Sequence, residues 1–239
     1  MKLVVFGANG PTGRLLTRQL LDADNTVVAV TRRPATFPIT DPRLTVAEAD
    51  VFHQQAVADV LPGADTVLSV LGVPFTRRPV DTFSTGTANI VAAMRRTEIR
   101  RLIVVSSTAT HRYRNRRNSS MMFRVFEPVI SRTIGKTVYD DVRRMESVVR
   151  DSDLDWTIVR PSILFDLDHL SGYFAGDVPP VGGFTARVDL AHYLTTLIDD
   201  AASIGATPIV STTEGAPTFW EYMKHQSARP ADSKPAPGQ

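Results

Sequence analysis

Gly7, Gly10 and Gly13 stand three residues apart, with Ala8-Asn9 and Pro11-Thr12 between them. An apolar run, Leu3-Val4-Val5-Phe6, leads in, and Leu15, Leu16, Leu20 and Leu21 follow at helical spacing. Strand, glycine turn and helix together suit one chemistry, the holding of a pyrophosphate. Gly7 can leave the strand without a Cβ penalty. Gly10 lets the backbone approach the phosphates, and Gly13 lets the helix pack close to the strand. The N–H groups and dipole at the start of the helix attract an anion. Pro11 fits the first helical turn, where its missing N–H would have had no partner. A bare glycine spacing of this kind is also met in structural turns; strand, turn and helix in this order favour a nucleotide.

Three further places carry candidate chemistry. Arg32-Arg33 follows the apolar run Thr26–Thr31, where a site for NAD would present a carboxylate to the ribose 2′-hydroxyl. Two guanidinium groups offer forks to a 2′-phosphate instead. At roughly 1.5–3 kcal/mol for a charge-assisted hydrogen bond, the expectation is NADP over NAD by at least about tenfold. The alternative is a pair of solvated loop arginines. Asp50, before Val51, reads either as an acceptor for an adenine amino group or as the cap of a helix over His53–Leu61. Gly72 closes the fourth strand and permits close passage of a nicotinamide.

The elements that must position these residues alternate along the chain. Strands are expected at Leu3–Phe6, Thr26–Thr31, Leu44–Glu48, Thr66–Leu71, Leu102–Val105 and Trp156–Val159, with a short one at Pro208–Ser211. Helices are expected after Gly13, over Phe83–Met94, over Thr137–Arg150 with Val142, Met145, Val148 and Val149 on one face, and over Val188–Ile198. Six strands alternating with helices predict an α/β fold, a Rossmann-like doubly wound parallel sheet with helices on both faces. One domain over residues 1–225 is expected, with substrate-lid segments at about 109–135 and 166–187 and a disordered Pro- and Ala-rich tail at 226–239. Met121, Met122, Phe123 and Phe126 suit a substrate wall, a core or a dimer face alike.

Composition narrows the classes. With no cysteine among 239 residues, disulfides, thiolate metal sites and cysteine nucleophiles are excluded. A net charge of +2 gives no argument for nucleic acid, and the basic run Arg112–Arg117 reads as a solvated loop. No run of eighteen apolar residues is present, so no membrane partner is expected. The first strand begins too early for a signal peptide to precede it, and a cytoplasmic protein is expected. The five histidines are scattered without metal-ligand spacing, and no G-x-S-x-G nucleophile elbow occurs.

Gly7–Gly13, Arg32, Ala49-Asp50-Val51, Asn89–Met94, Val105-Ser106-Ser107 and Leu154–Pro161 occur in an order that resembles the atypical short-chain dehydrogenase/reductases. The likeness is to their NmrA-like NAD(P)H-binding group, which includes the flavin reductase/biliverdin reductase B type, and it runs from Met1 to about Ile198. The resemblance implies that Gly7, Asn9, Gly10, Thr12 and Gly13 hold phosphates, Arg32 and Arg33 the 2′-phosphate, and Asp50-Val51 the adenine. It places Leu71-Gly72, Ser107-Thr108 and Pro161-Ser162-Ile163 beside the nicotinamide, and matches Thr108 to an active Ser/Thr of extended relatives.

One departure stands out. Typical short-chain enzymes use Tyr and Lys four residues apart on one helix face. Here Tyr139 precedes Arg143 by four, but counting back from Thr157 puts the Tyr and Lys slots on Val138 and Val142. Arginine cannot exchange protons at ordinary pH. The flavin/biliverdin reductase type also lacks the pair and works by holding cofactor and acceptor face to face. The expectation is an NADPH-dependent reductase of a small conjugated or aromatic acceptor, such as a flavin, quinone, enone or tetrapyrrole. Thr108 and Ser162 would polarise the acceptor carbonyl, with Tyr139 a further candidate. The chain would act as a monomer or homodimer. The rivals are an NADP(H)-sensing regulator without turnover and a dehydratase or isomerase that keeps its cofactor.

Overall fold

A computed structural model describes residues 1–74, 76, 78–111, 113, 135–218, 221, 222 and 224. The Arg112–Arg117 run apart from Tyr113, the Met121–Phe126 wall, most of the first lid segment and the 226–239 tail lie outside the described residues.

The chain builds β1 (Lys2–Phe6), α1 (Pro11–Asp22), β2 (Thr26–Thr31), β3 (Leu44–Glu48), α2 (Gln54–Asp59), β4 (Thr66–Ser69), α3 (Thr82–Thr97) and β5 (Arg101–Val105). It continues with α4 (Lys136–Arg150), β6 (Asp155–Pro161), β7 (Ile163–Phe165), β8 (Phe174–Gly176), β9 (Phe184–Ala186), α5 (Arg187–Thr196) and β10 (Ile209–Ser211). The main sheet has the order β3-β2-β1-β4-β5-β6-β10-β8. Its pairs are parallel except β8 on β10. After β3 the chain returns to the far side of β1, so the strand order reverses between β1 and β4. In open α/β sheets the crevice outside the carboxyl ends at such a reversal is where ligands bind.

Alternation along each strand divides the core in two. Val4 and Phe6 of β1 join Ile90, Met94, Val142 and Met145 under α3 and α4. Leu3 and Val5 join Leu16, Leu20, Leu190 and Leu194 under α1 and α5. Full burial of each such side chain stabilises by roughly 1.5–3 kcal/mol.

Two features were not foreseen. The segment 166–187, expected as a lid, contributes β8 to the edge of the sheet and β9 to a pair with β7. The buried carboxylate of Asp189 anchors it. Asp189 accepts from Ser171 N (2.9 Å), Ser171 Oγ (2.6 Å) and Thr212 Oγ1 (2.5 Å). Beside it the Tyr173 hydroxyl meets His192 Nδ1 at 2.7 Å, and burial with the Asp189 charge pushes that phenol up to about 12. Helix α3, in turn, is capped from a distance. Asp81 at its N-cap position makes no side-chain cap. Instead the buried Asp141 of α4 accepts from Phe83 N (2.8 Å), Ser84 N (3.4 Å) and the Ser84 hydroxyl, while Arg144 bonds both Asp141 (3.0 Å) and Val80 O (2.8 Å). No helix among the described residues is long and apolar enough to cross a membrane.

Candidate functional site

The glycine turn sits at the mouth of the β1/β4 crevice. Gly7 has φ +80°, and a Cβ there would lie 2.7 Å from Val70 O, the backbone just past β4. A Cβ on Gly13 would lie 2.3 Å from Gly7 O and 2.7 Å from Ala8 Cα. The helix therefore packs close to the turn itself, where the sequence pointed to the strand. Gly10 has ordinary φ (−72°) and its nearest obstacle is Gly7 O at 3.3 Å, so the protein alone asks little of it. Its value lies on the outer side, where a ligand would approach. Gly10 caps α1 without a side chain, Pro11 occupies the first turn, and no acidic residue lies there. The N–H groups of Asn9, Thr12 and Gly13 take no hydrogen-bond partner among the described residues. Free N–H groups at the start of a helix suit an anion.

Asn9 is used differently from the expectation. Its Nδ2 donates to Thr36 Oγ1 (2.8 Å), and its Oδ1 accepts from Arg14 Nε (3.0 Å) and Nη2 (2.7 Å). Thr36 Oγ1 donates in turn to Arg33 O (3.0 Å). The side chain thus ties the turn after β2 to the glycine turn, leaving the Asn9 N–H for a phosphate. Arg32 and Arg33 emerge from that tied turn, exposed, with no ion pair or side-chain hydrogen bond among the described residues. Two guanidinium groups without carboxylates, on a braced turn beside an anion site, suit a 2′-phosphate.

Asp50 is not a helix cap. It accepts from Phe52 N at 3.0 Å, a local Asx turn, and α2 starts later, after His53. A carboxylate two residues from its partner N–H finds that bond before it can reach the helix. Val51 is buried, and its carbonyl accepts from Asn89 Nδ2 at 2.8 Å. Gly86 brings α3 so near that a Cβ would touch Val51 Cγ2 at 2.8 Å and Leu71 Cδ1 at 3.3 Å. Asn89 and Gly86 thereby fix the Asp50-Val51 and Leu71-Gly72 edges of one groove. The sequence displayed both residues; helical spacing from Phe83 was the available signal. Gly72 is exposed, and a Cβ there would meet nothing within 4 Å. The fold has no steric need for a glycine at that point.

The other end of the groove lies past β5 and β6. Ser107 accepts from Ala109 N (3.2 Å) and opens a single 3₁₀ turn over Thr108–Thr110. Thr108 is buried, and its hydroxyl bonds to none of the described residues. Pro161 ends β6. Asp155 N points to Arg100 O on the β5 side, and Pro161 falls at that phase beyond the end of β5, so no ladder donor is lost. Ser162 is buried with its N–H on Thr185 Oγ1 (2.9 Å), while its own Oγ is buried without a partner. Such an orphan is costly unless a ligand or water satisfies it. Ile163, in β7, is half-buried.

Below this end lies a network that sequence reasoning missed. Glu146 of α4, nearly fully buried, accepts from Arg160 Nε (2.9 Å) and Nη2 (2.6 Å), Arg150 Nη1 (2.9 Å), Ser106 Oγ (2.5 Å) and Thr110 Oγ1 (3.1 Å). Burial pushes its carboxyl up, but the hydrogen bonds from Arg160, Ser106 and Arg150 outweigh it and hold the group at about 2. Arg160 Nη1 also donates to the Tyr113 hydroxyl at 3.2 Å. Val138 and Val142, the expected Tyr and Lys slots, are buried in the apolar cluster. Tyr139 is half-buried in the first turn of α4. Arg143, one turn on, donates to Thr110 O (3.2 Å) and Ala109 O (3.5 Å), so this face of α4 meets the turn that carries Thr108.

Comparison with known proteins agrees with the geometry. A protein of Mycobacterium tuberculosis described as uncharacterized is 27% identical over 196 residues, 80% of this chain, and this chain spans only 19% of its length. A short-chain dehydrogenase/reductase of Veillonella parvula, solved with NADP, superposes with a TM-score of 0.75 at 20% identity over 91% of this chain and 99% of its own. An anaerobillin reductase of Escherichia coli O157:H7 gives 0.69 at 19% identity, over 91% of this chain and 100% of its own. At these identities the structures establish the shared fold. The model of the NAD(P)H-binding family, by contrast, matches residues 7–201, from the first glycine to beyond α5, and this chain belongs to that family.

Proposed function

We propose that this protein is an NADPH-dependent reductase that passes hydride to a small conjugated or aromatic acceptor of the flavin, quinone, enone or tetrapyrrole type. The carrying observation is Arg32 and Arg33, exposed without carboxylate partners on the turn that Asn9 and Thr36 brace against the anion site. The free N–H groups of Asn9, Thr12 and Gly13 would hold the pyrophosphate. Asp50-Val51 would border the adenine, and Leu71, Gly72, Ser107, Pro161 and Ile163 the nicotinamide. A bound dihydronicotinamide supplies hydride. The chain's own part is to align the acceptor and polarise it; the groups available for that at the β5/β6 end are the buried, unpartnered Ser162 Oγ and the Thr108 hydroxyl, which bonds to none of the described residues. This is catalysis chiefly by positioning. The similar fold of an anaerobillin reductase supports a tetrapyrrole among the acceptors to be tried.

NADPH and NADH affinities measured side by side test the cofactor assignment, with NADPH expected to bind at least about tenfold tighter; a preference for NADH would reject it. Thr108→Val is expected to lower turnover while leaving NADPH affinity unchanged; unchanged turnover removes its role. A second reading, a cofactor sensor without turnover, is favoured by one observation, that the Tyr and Lys slots hold the buried Val138 and Val142. NADPH oxidation over a panel of flavins, quinones and enones separates the two, since a sensor oxidises none.

A further inference from the structure

A reductase of this kind needs a proton for the atom that becomes anionic when hydride arrives, and the usual helix positions for that task are valines. We propose that Tyr113, held by Arg160, is the proton donor to the acceptor; the inference rests on the reductase reading above. Tyr113 follows the 3₁₀ turn that carries Thr108, and Arg160 immediately precedes Pro161-Ser162, so the pair joins the two segments bordering the acceptor end. Both lie on the α4 side of the sheet, because Arg160 shares the phase of Ile158, which packs in the α3/α4 cluster.

The guanidinium does what a lysine beside a tyrosine does elsewhere. It is a permanent cation that donates to the phenolic oxygen and stabilises the phenolate, without taking up or releasing protons itself. Glu146 fixes it through two contacts, to Nε and Nη2, which leaves Nη1 directed at Tyr113 (3.2 Å). Arg150 adds a second cation on the same carboxylate, so the cluster of Glu146, Arg150 and Arg160 keeps a net positive charge next to the phenol. Tyr113 is only half-buried, with the His111 ring edge-on at 5.0 Å.

In the step itself, the acceptor carbon (N5 in a flavin) gains the hydride and its electron pair, and the conjugated carbonyl oxygen (the N1–C2=O unit in a flavin) becomes anionic. Tyr113 Oη gives that oxygen its proton: the Oη–H bond breaks as the acceptor O–H bond forms. Arg160 Nη1 holds the phenolate until bulk water returns a proton. The dihydronicotinamide is oxidised, the acceptor is reduced by two electrons, and the net proton comes from solvent. Glu146 acts through Arg160 and is a positioning residue.

The test compares wild type with Tyr113→Phe, Tyr139→Phe, Arg160→Lys and Arg160→Gln, with menadione and FMN as acceptor probes. Tyr113→Phe is expected to lower kcat by about 100-fold, the scale of a positioned general acid, with NADPH affinity within about twofold of wild type. A readout free of turnover uses protein labelled with ¹³C at the tyrosine Cζ and loaded with NADP⁺. The resonance missing from Tyr113→Phe is expected to move when menadione or FMN is added. Arg160→Lys, which keeps charge and a donor, is expected to retain more kcat than Arg160→Gln. A Tyr113 resonance that neither probe moves overturns the proposal, as does full turnover by Tyr113→Phe or a larger loss in Tyr139→Phe. If the protein fails to retain NADP⁺ at all, the reductase reading falls and this one with it; NADP⁺ retained with a silent Tyr113 removes only the proton donor.

Discussion

The two ends of the groove are made in opposite ways. At the β1–β3 end the working parts are backbone: a positive φ at Gly7, absent side chains at Gly10 and Gly13, and free N–H groups at the start of α1. Arg32 and Arg33 add charge there that makes no ion pair among the described residues. At the β5–β6 end the working parts are side chains locked to each other across long stretches of chain, Glu146 to Ser106 and Arg160, or Asp189 to Ser171 and Thr212. The first end can bind without being remodelled, because its donors are fixed before any ligand arrives. The second end can change its acceptor by changing side chains, provided the buried network beneath survives.

Substitutions at each end sharpen that contrast. The largest effect is expected from Gly13→Ala, whose Cβ has only backbone to push against. Overpacking of this kind costs about 1–3 kcal/mol, and a shifted turn adds near-complete loss of NADPH binding; denaturant midpoints and dialysis measure the two. Glu146→Gln leaves the anion site intact but costs more in stability, about 3–5 kcal/mol, because it leaves Arg160 half-buried beside a neutral amide. The same carboxylate gives a pH signature. Its folded value of about 2 lies below its ordinary 4.5, so its contribution is fully present above about pH 4.5 and is lost as pH falls towards 2. Such a displacement is worth roughly 3 kcal/mol, and acid unfolding of wild type is expected to be steeper over that window than for the glutamine variant.

Arg32→Ala with Arg33→Ala is expected to do the reverse. NADPH affinity should fall at least about tenfold while stability stays within about 0.5 kcal/mol, since exposed side chains without partners support no fold. If the double variant melts early, the arginines are structural and the contrast fails. The smallest effect is expected from Asn89→Ala. Losing its bond to Val51 O should cost about 1 kcal/mol and weaken NADPH modestly, as the adenine edge loosens.

This division also explains what the sequence made legible. The parallel strands and glycine turn could be read because their signals are local: β2 and β3 fall on Thr26–Thr31 and Leu44–Glu48 as expected. Strands β7, β8 and β9 could not, because three residues carry too little pattern; Pro179-Pro180 and Gly182-Gly183 mark the break between β8 and β9. The use of the Asn9 side chain was hidden, since nothing nearby showed that Thr36 and Arg14 would claim its amide, while its N–H stays open to a phosphate. Glu146 carried no local signal, because Arg160 and Ser106 meet it only once β5 and β6 are paired. Asp81 stands at the N-cap of α3, yet the acceptor for its first turn comes from Asp141.

That borrowed cap has a temporal consequence during synthesis. Phe83 N waits for a carboxylate 58 residues downstream, which at about 5–20 residues per second is roughly 3–12 seconds of translation. Over that interval α3 leaves the ribosome with its first turn unfinished, and the nascent half-sheet has no closed face until α4 follows it out.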